Sequence, residues 1–299
     1  VKVNSISFDG AVQITLAGLA TGSVYALLLL GILIVFRVSR AVNFAQGQLG
    51  MIAAYGAYGI FAAEIMPIWL AIVTGLILAA VLSLLTDRIF IERLAKRGAL
   101  GGQDLVVTLG IMLLLTAAAE TFLGTQTKSF VPLGSDLQFG FRSVVLNANQ
   151  IVVLVGTVVI LIGFAVFLRT RPGVSMRASA MNPDLARSMG VNVSRVKAIT
   201  WTVSGLLAGI VGVIIASRLS VDPYYMTPFL ISAFVAGILG GLDRFAAPIL
   251  IAFGLALYQN WSAFIFGSTA GTASLFILVI VLLAVLPKRF LDERREARA

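Results

Sequence analysis

Cysteine and histidine are both missing from this 299-residue sequence. Their absence excludes disulfides, thiol nucleophiles, haem ligation and ordinary zinc sites. It also excludes a catalytic triad built on histidine. Charge is scarce: 12% of residues are charged, against about a quarter in a soluble domain. Paired carboxylates for acid–base chemistry are lacking, so no catalytic residue, metal or cofactor is expected. The first residues also lack a signal-peptide layout.

Apolar residues are abundant. They make up 59% of the chain, and the mean hydropathy is +1.02. That composition describes an all-α, polytopic membrane protein. A membrane helix needs about 20 mostly apolar residues. Nine segments approach this, near 11–36, 41–63, 67–86, 104–125, 149–168, 195–217, 228–241, 245–266 and 272–287. About eight to nine of them should cross or re-enter the bilayer. The segment at 228–241 is short, and is expected to be re-entrant or broken at Gly237, Gly240 and Gly241. Small-residue patches such as "GLATGSVYALLLLG" and "SGLLAGIVGVIIAS" allow close helix packing. One membrane domain, 1–299, is expected, without a soluble appendage.

The net charge of +9 comes from 22 basic and 13 acidic residues. The basic residues fall between apolar spans, which points to cytoplasmic loops rather than nucleic acid. They gather at 37–40, 87–103, 169–197 and the tail at 288–299. The positive-inside rule puts all four in the cytoplasm of a cell membrane. Nine passes then leave the N-terminus outside and the C-terminus inside. The outer connections hold few charges, among them Lys128, Asp136, Arg142, Arg218 and Asp222. The longest, 126–148, is expected to be an extracytoplasmic loop.

The connection "RTRPGVSMRASAMNPDLARSMGVNVSRVK" (169–197) carries its own helix punctuation. Asn182 suits an N-cap, with Pro183 at the first helical position. Asp184 and Arg187 match the dipole of a short helix, and Gly190 stands just past its end. "VSMRASAM" suits a second short helix, and Ser194 could cap the next membrane helix. Met176, Met181, Leu185 and Met189 are apolar yet lie outside the bilayer. Such a surface suits either anionic lipid or the groove of a partner protein.

"AVNFAQGQLGMIAAYGAY" (41–58) is unusual in so apolar a chain. Asn43, Gln46 and Gln48 cannot face hydrocarbon unsatisfied. Two roles fit them: hydrogen bonds between helices, or the lining of a path through the membrane. Gly47 and Gly50 would permit a broken helix there. Ser23 and Tyr25 on the first span could join them. Gln259 and Asn260, beside Trp261, could line an outer mouth or sit in the aromatic belt. Glu120 could be functional or interfacial, and Glu64 should be interfacial. Thr108 and Thr116 should bond their own helix.

Taken in order, the stretch 17–58, "RPGVSMRASAMNPDLARSMGVNVSRVKAITWTVSGLLAGIVGVI" (171–214) and "FVAGILGGLDRFAAPILIAFGLALYQ" (234–259) resemble the permease subunits of branched-chain amino acid ABC importers, the LivH/LivM family. The Asn-Phe-Ala-Gln-Gly run is closer to the LivH type. The resemblance implies an importer permease fold and an assembly of several subunits. A LivM-like second permease, two cytoplasmic ABC ATPases and an extracytoplasmic substrate-binding protein would be the partners. It also makes the segment inside 171–197 a coupling helix seated in an ATPase groove. Arg177, Asn182, Pro183, Ala186 and Gly190 match the family pattern there, and Met181, Leu185 and Arg187 lie among them. ATP and magnesium would be bound by the partner, because this chain lacks the G-x-x-x-x-G-K-[ST] loop. Family members often carry an acidic residue where this chain has Gln48. Related importers also carry urea, short amides and aromatic acids. A self-contained channel or secondary transporter is the rival from another class. It would need more buried ionisable residues than Glu120.

Overall fold

The structure is a computed structural model, and it describes residues 8–96, 102–129, 138–141 and 144–285. Helix α1 (Phe8–Ser39) is followed by α2 (Gln46–Ala62) and α3 (Ile68–Leu85). A π-helical segment, Thr86–Ile91, carries α3 into the short α4 (Glu92–Lys96). Then come α5 (Gln103–Leu123), strands β1 (Gln138–Phe141) and β2 (Val144–Asn147), and α6 (Ala148–Phe167). Two short helices, α7 (Arg171–Met181) and α8 (Pro183–Ser188), lead to α9 (Val193–Ala216). The described chain ends with α10 (Thr227–Gly240), α11 (Ala246–Phe266) and α12 (Ser268–Val285). Each expected span therefore contains a helix. An antiparallel hairpin, Gln138 opposite Asn147, occupies part of the long 126–148 connection. The basic tail at 288–299 lies outside the described residues.

Six of these helices are long and apolar enough to cross a membrane, and α10 and α12 are shorter apolar ones. Their hydropathies are similar, but their places in the bundle differ. The apolar window of α1 is 89% buried, against 17% for α6 and 22% for α5. At about 1.5 Å per residue, α1 is about 48 Å long, more than the hydrocarbon core of about 30 Å. It forms the axis of the molecule, with α6, α9, α10 and α11 packed against it. Exposed Val, Leu and Ile side chains on α3, α5, α6 and α12 form the outer surface.

The second span differs from expectation. Helix α2 starts at Gln46, and residues 41–45 are irregular yet lie within the bundle. Irregular backbone at this depth must find its partners in protein. The Val42 N–H donates to Asp104 Oδ2 at 3.1 Å, and the Val42 carbonyl accepts from Thr108 Oγ1 at 2.9 Å. The Ala45 N–H donates to Asn43 Oδ1 at 3.1 Å. The break thus precedes Gly47 and Gly50, which lie inside regular helix. These glycines serve close packing instead: a Cβ at Gly50 would meet the Ala208 carbonyl oxygen at 2.6 Å. Reciprocally, a Cβ on Gly212 of α9 would collide with the Gly50 backbone. The 228–241 segment is likewise one continuous helix through Gly237. It stops where Gly241 takes a left-handed φ of +82°.

Candidate functional site

The polar residues of the second span form a buried amide cluster. Asn43, Gln46 and Ser204 are all 0% exposed. Asn43 Nδ2 donates to Gln46 Oε1 at 3.0 Å, and Gln46 Nε2 donates to the Ser204 carbonyl at 3.0 Å. The Ser204 hydroxyl lies 2.8 Å from Gln46 Oε1 and 3.0 Å from the Gly31 carbonyl. The cluster therefore ties α1, α2 and α9 together where the irregular 41–45 stretch enters the bundle. Gln48 is buried too, but its Oε1 meets no donor among the described residues. Gly47 packs on the Leu230 side chain, and the Ser23 hydroxyl donates to the Leu19 carbonyl of its own helix.

Tyr25, Gln259 and Asn260 meet elsewhere. They line a cleft of about 390 Å³ between α1, α9, α10, α11 and α12. The cleft lies at the bundle end remote from Arg40 and α8. Its lining comes from the end of α9, the start of α10, the end of α11 and the start of α12. Tyr25 donates its hydroxyl to Gln259 Oε1, and Asn260 Nδ2 donates to the Ala256 carbonyl at 2.9 Å. Val24, Ile214, Leu219 and Phe229 supply apolar wall, and Arg218 stands among them. At the same end, Tyr224 donates to Glu120 Oε1 at 2.8 Å. This hydrogen bond to the carboxylate raises the Tyr224 pKa. Glu120 thus has a defined partner in a neighbouring connection.

The opposite end is basic, and it carries the short helices. Thr170 caps α7, and Asn182 Oδ1 caps α8 by accepting the N–H groups of Asp184 at 3.1 Å and Leu185 at 3.0 Å. Arg187 pairs with Asp184 at 2.6 Å, and Gly190 takes a φ of +85° just past the helix. Asn192, not Ser194, caps α9, because its Oδ1 stands three residues ahead of the Arg195 N–H and accepts it at 2.9 Å. Ser194 instead accepts from Arg88 at 2.8 Å and lies 3.2 Å from Glu92 Oε1. Ala186 is buried, which seats α8 on the bundle, whereas Arg177, Pro183 and Arg187 are exposed. Met181, Leu185 and Met189 are 85%, 58% and 75% exposed, whereas Met176 is buried against Leu30, Ile34 and Val38.

Arg40 joins this surface to the bundle. Its φ is +53°, uncommon for a residue with a side chain. One guanidinium nitrogen pairs with Asp243 in the α10–α11 turn at 2.6 Å, and another donates to the Ala180 carbonyl near the end of α7 at 3.2 Å. The link therefore runs from α7 to the point where α1 passes into the amide cluster.

Sequence reasoning overlooked Ser204, Asp104 and Asp87. Ser204 opens a small-residue patch and looks like packing. Asp104 stands at a span end, and its role depends on a backbone more than 60 residues away. Thr108, expected to bond only its own helix, also reaches Val42. Asp87 is buried within the π-helical segment. An acidic residue among apolar ones next to a basic loop was its only signal.

Comparison with known proteins accounts for this architecture. A permease protein of Methanocaldococcus jannaschii, described as a probable branched-chain amino acid transport permease LivH, is 27% identical over 87% of this chain and 85% of its own. The high-affinity branched-chain amino acid transport system permease BraD of Pseudomonas aeruginosa is 29% identical over 90% of this chain and 92% of its own. PsaBC from Streptococcus pneumoniae, solved in complex with Fab, shares the fold at a TM-score of 0.51. It is 15% identical and covers 93% of this chain and 94% of its own. The family described as branched-chain amino acid transport system / permease component matches residues 14–286. This multi-pass membrane chain belongs to that family of permease components.

Proposed function

We propose that the chain is the membrane-spanning permease of an ATP-driven importer of branched-chain amino acids. It works beside a second, LivM-like permease. Two ATPases bind ATP and magnesium on the cytoplasmic side, and a binding protein delivers substrate outside. The basic end of the bundle faces the cytoplasm, which leaves the N-terminus outside and the C-terminus inside. Two polar regions are candidates for the path: the outer cleft with Tyr25, Gln259 and Asn260, and the region around Ser23, Asn43, Gln46, Gly47 and Gln48.

The observation that carries this reading is α8. It is a helix of only six residues, fixed by caps at both ends and seated through Ala186. It leaves Leu185, with Met181 and Met189 on either side, uncovered at the basic end. A short rigid helix with bare apolar side chains suits insertion into a protein groove. Arg40 would pass a movement of α7–α8 to α1 and the α10–α11 turn. ATPase closure could then bias the permease between inward and outward states. Replacing residues 182–187 with a flexible Gly-Ser segment should abolish binding-protein-stimulated ATP hydrolysis in proteoliposomes, with the chain still inserted. Stimulation that survives the replacement would remove α8 from the coupling path.

A further inference from the structure

We propose that the outer cleft is a substrate-binding site of the permease, in which Arg218 pairs with the substrate's carboxylate. The proposal rests on the reading above that the substrate is a branched-chain amino acid.

Arg218 follows the last turn of α9, with its N–H bonded to the Ile215 carbonyl at 3.0 Å. Among the described residues its guanidinium has no ion pair or hydrogen bond, unlike Arg40, Arg88 and Arg187. No Asp or Glu lines the cleft. The surrounding protein strips some of its water and holds its pKa below the ordinary arginine value. Arg218 is exposed at the cleft mouth, so its charge costs little there, and what it offers an incoming anion is an unpaired guanidinium beside an apolar wall. Guanidinium geometry matches a carboxylate bidentately.

The rest of the cleft selects among anions. Val24, Ile214, Leu219 and Phe229 make a wall that a branched aliphatic side chain would cover. A cleft of about 390 Å³ lies within the usual range for small ligands, about 300–1,000 Å³. Gln259 Oε1 accepts from Tyr25, and the side-chain oxygens of Asn260 and Thr272 also line the cleft as acceptors for the substrate's ammonium.

Saturation-transfer NMR on the assembled importer in nanodiscs, without binding protein, tests this with leucine and leucinamide. Leucine should compete at least about tenfold better than leucinamide on the wild type. Arg218→Gln should erase the difference, and Arg218→Lys should keep part of it. Equal competition on the wild type, or a preference unchanged in Arg218→Gln, overturns the proposal. No preference for leucine in either phosphatidylglycerol or phosphatidylcholine, with Arg218→Gln instead lowering the phosphatidylglycerol retained by the purified importer, assigns Arg218 to lipid phosphate and overturns the proposal. If Arg218→Gln weakens only the binding protein's affinity, the residue is a docking contact, and the proposal again fails. Leucine uptake by the wild-type importer in sealed proteoliposomes, with binding protein and ATP supplied, tests the transport reading separately.

Discussion

Gln46 and Gln48 lie two residues apart on α2, both buried, and differ in their partners. Gln46 is bonded to Asn43 and to Ser204, whereas Gln48 Oε1 meets no donor among the described residues. Removing one partner from a buried polar pair leaves the other orphaned, at about 1–3 kcal/mol. Gln46→Leu should therefore lower stability by about 1–3 kcal/mol, read from thermal unfolding in detergent. Gln48→Met removes an acceptor that already lacks a donor. Its stability should stay within about 0.5 kcal/mol of the wild type or rise. If Gln48 lines the path, transport should nonetheless fall. A large stability loss in Gln48→Met would assign it to packing. Both amides were conspicuous in the sequence, because side chains of this kind are rare in apolar spans. Which of them had partners was not legible, since Ser204 stands 158 residues from Gln46.

At the scale of elements, α2, α3 and α9 pack through their backbones. Gly212 faces Gly50, Gly205 faces Ala79, and Gly75 faces Ala53. Lipid tails are as apolar as leucine, so close van der Waals contact, not water exclusion, holds such helices together. Gly212→Ala must push α2 away from α9, because its methyl would collide with the Gly50 carbonyl. The expected cost is about 1–3 kcal/mol, visible as a lower unfolding temperature and less assembled complex. The patch "SGLLAGIVGVIIAS" already pointed to this contact, since glycine and alanine at that spacing have few other uses. Helix α8 was legible for a similar reason: Asn182, Pro183 and Gly190 act within one short segment. The irregular start of α2 was not legible. Its backbone is satisfied by Asp104 and Thr108 from α5, and no local pattern announces such partners.

At the scale of the molecule, the proposed orientation makes a prediction that the cysteine-free sequence renders simple to test. Ser188→Cys and Ser220→Cys each introduce a single thiol at an exposed position at opposite ends of the bundle. A membrane-impermeant maleimide applied to intact cells should label Ser220→Cys alone. Ser188→Cys should react only in inverted vesicles. Labelling of Ser188→Cys from outside would reverse the orientation and detach α8 from any cytoplasmic partner. The contacts divide into the same two ends. Arg40, Asp243 and Ala180 meet at one, and Lys128, Val221, Glu120 and Tyr224 meet at the other.

The sequence by itself determined the membrane spans, the basic and less charged ends, and the capped helix between α7 and α9. Each depends on composition or on residues a few positions apart, so local physics suffices. Only the tertiary structure decided that α1 is the axis and α6 part of the surface. Hydropathy cannot separate them, because a leucine facing lipid and one facing protein satisfy the same requirement. The structure also gathered Tyr25, Arg218 and Gln259 into one cleft while placing Asn43 and Gln46 in another cluster. Those groupings arise from contacts between distant segments, which depend on how the helices pack.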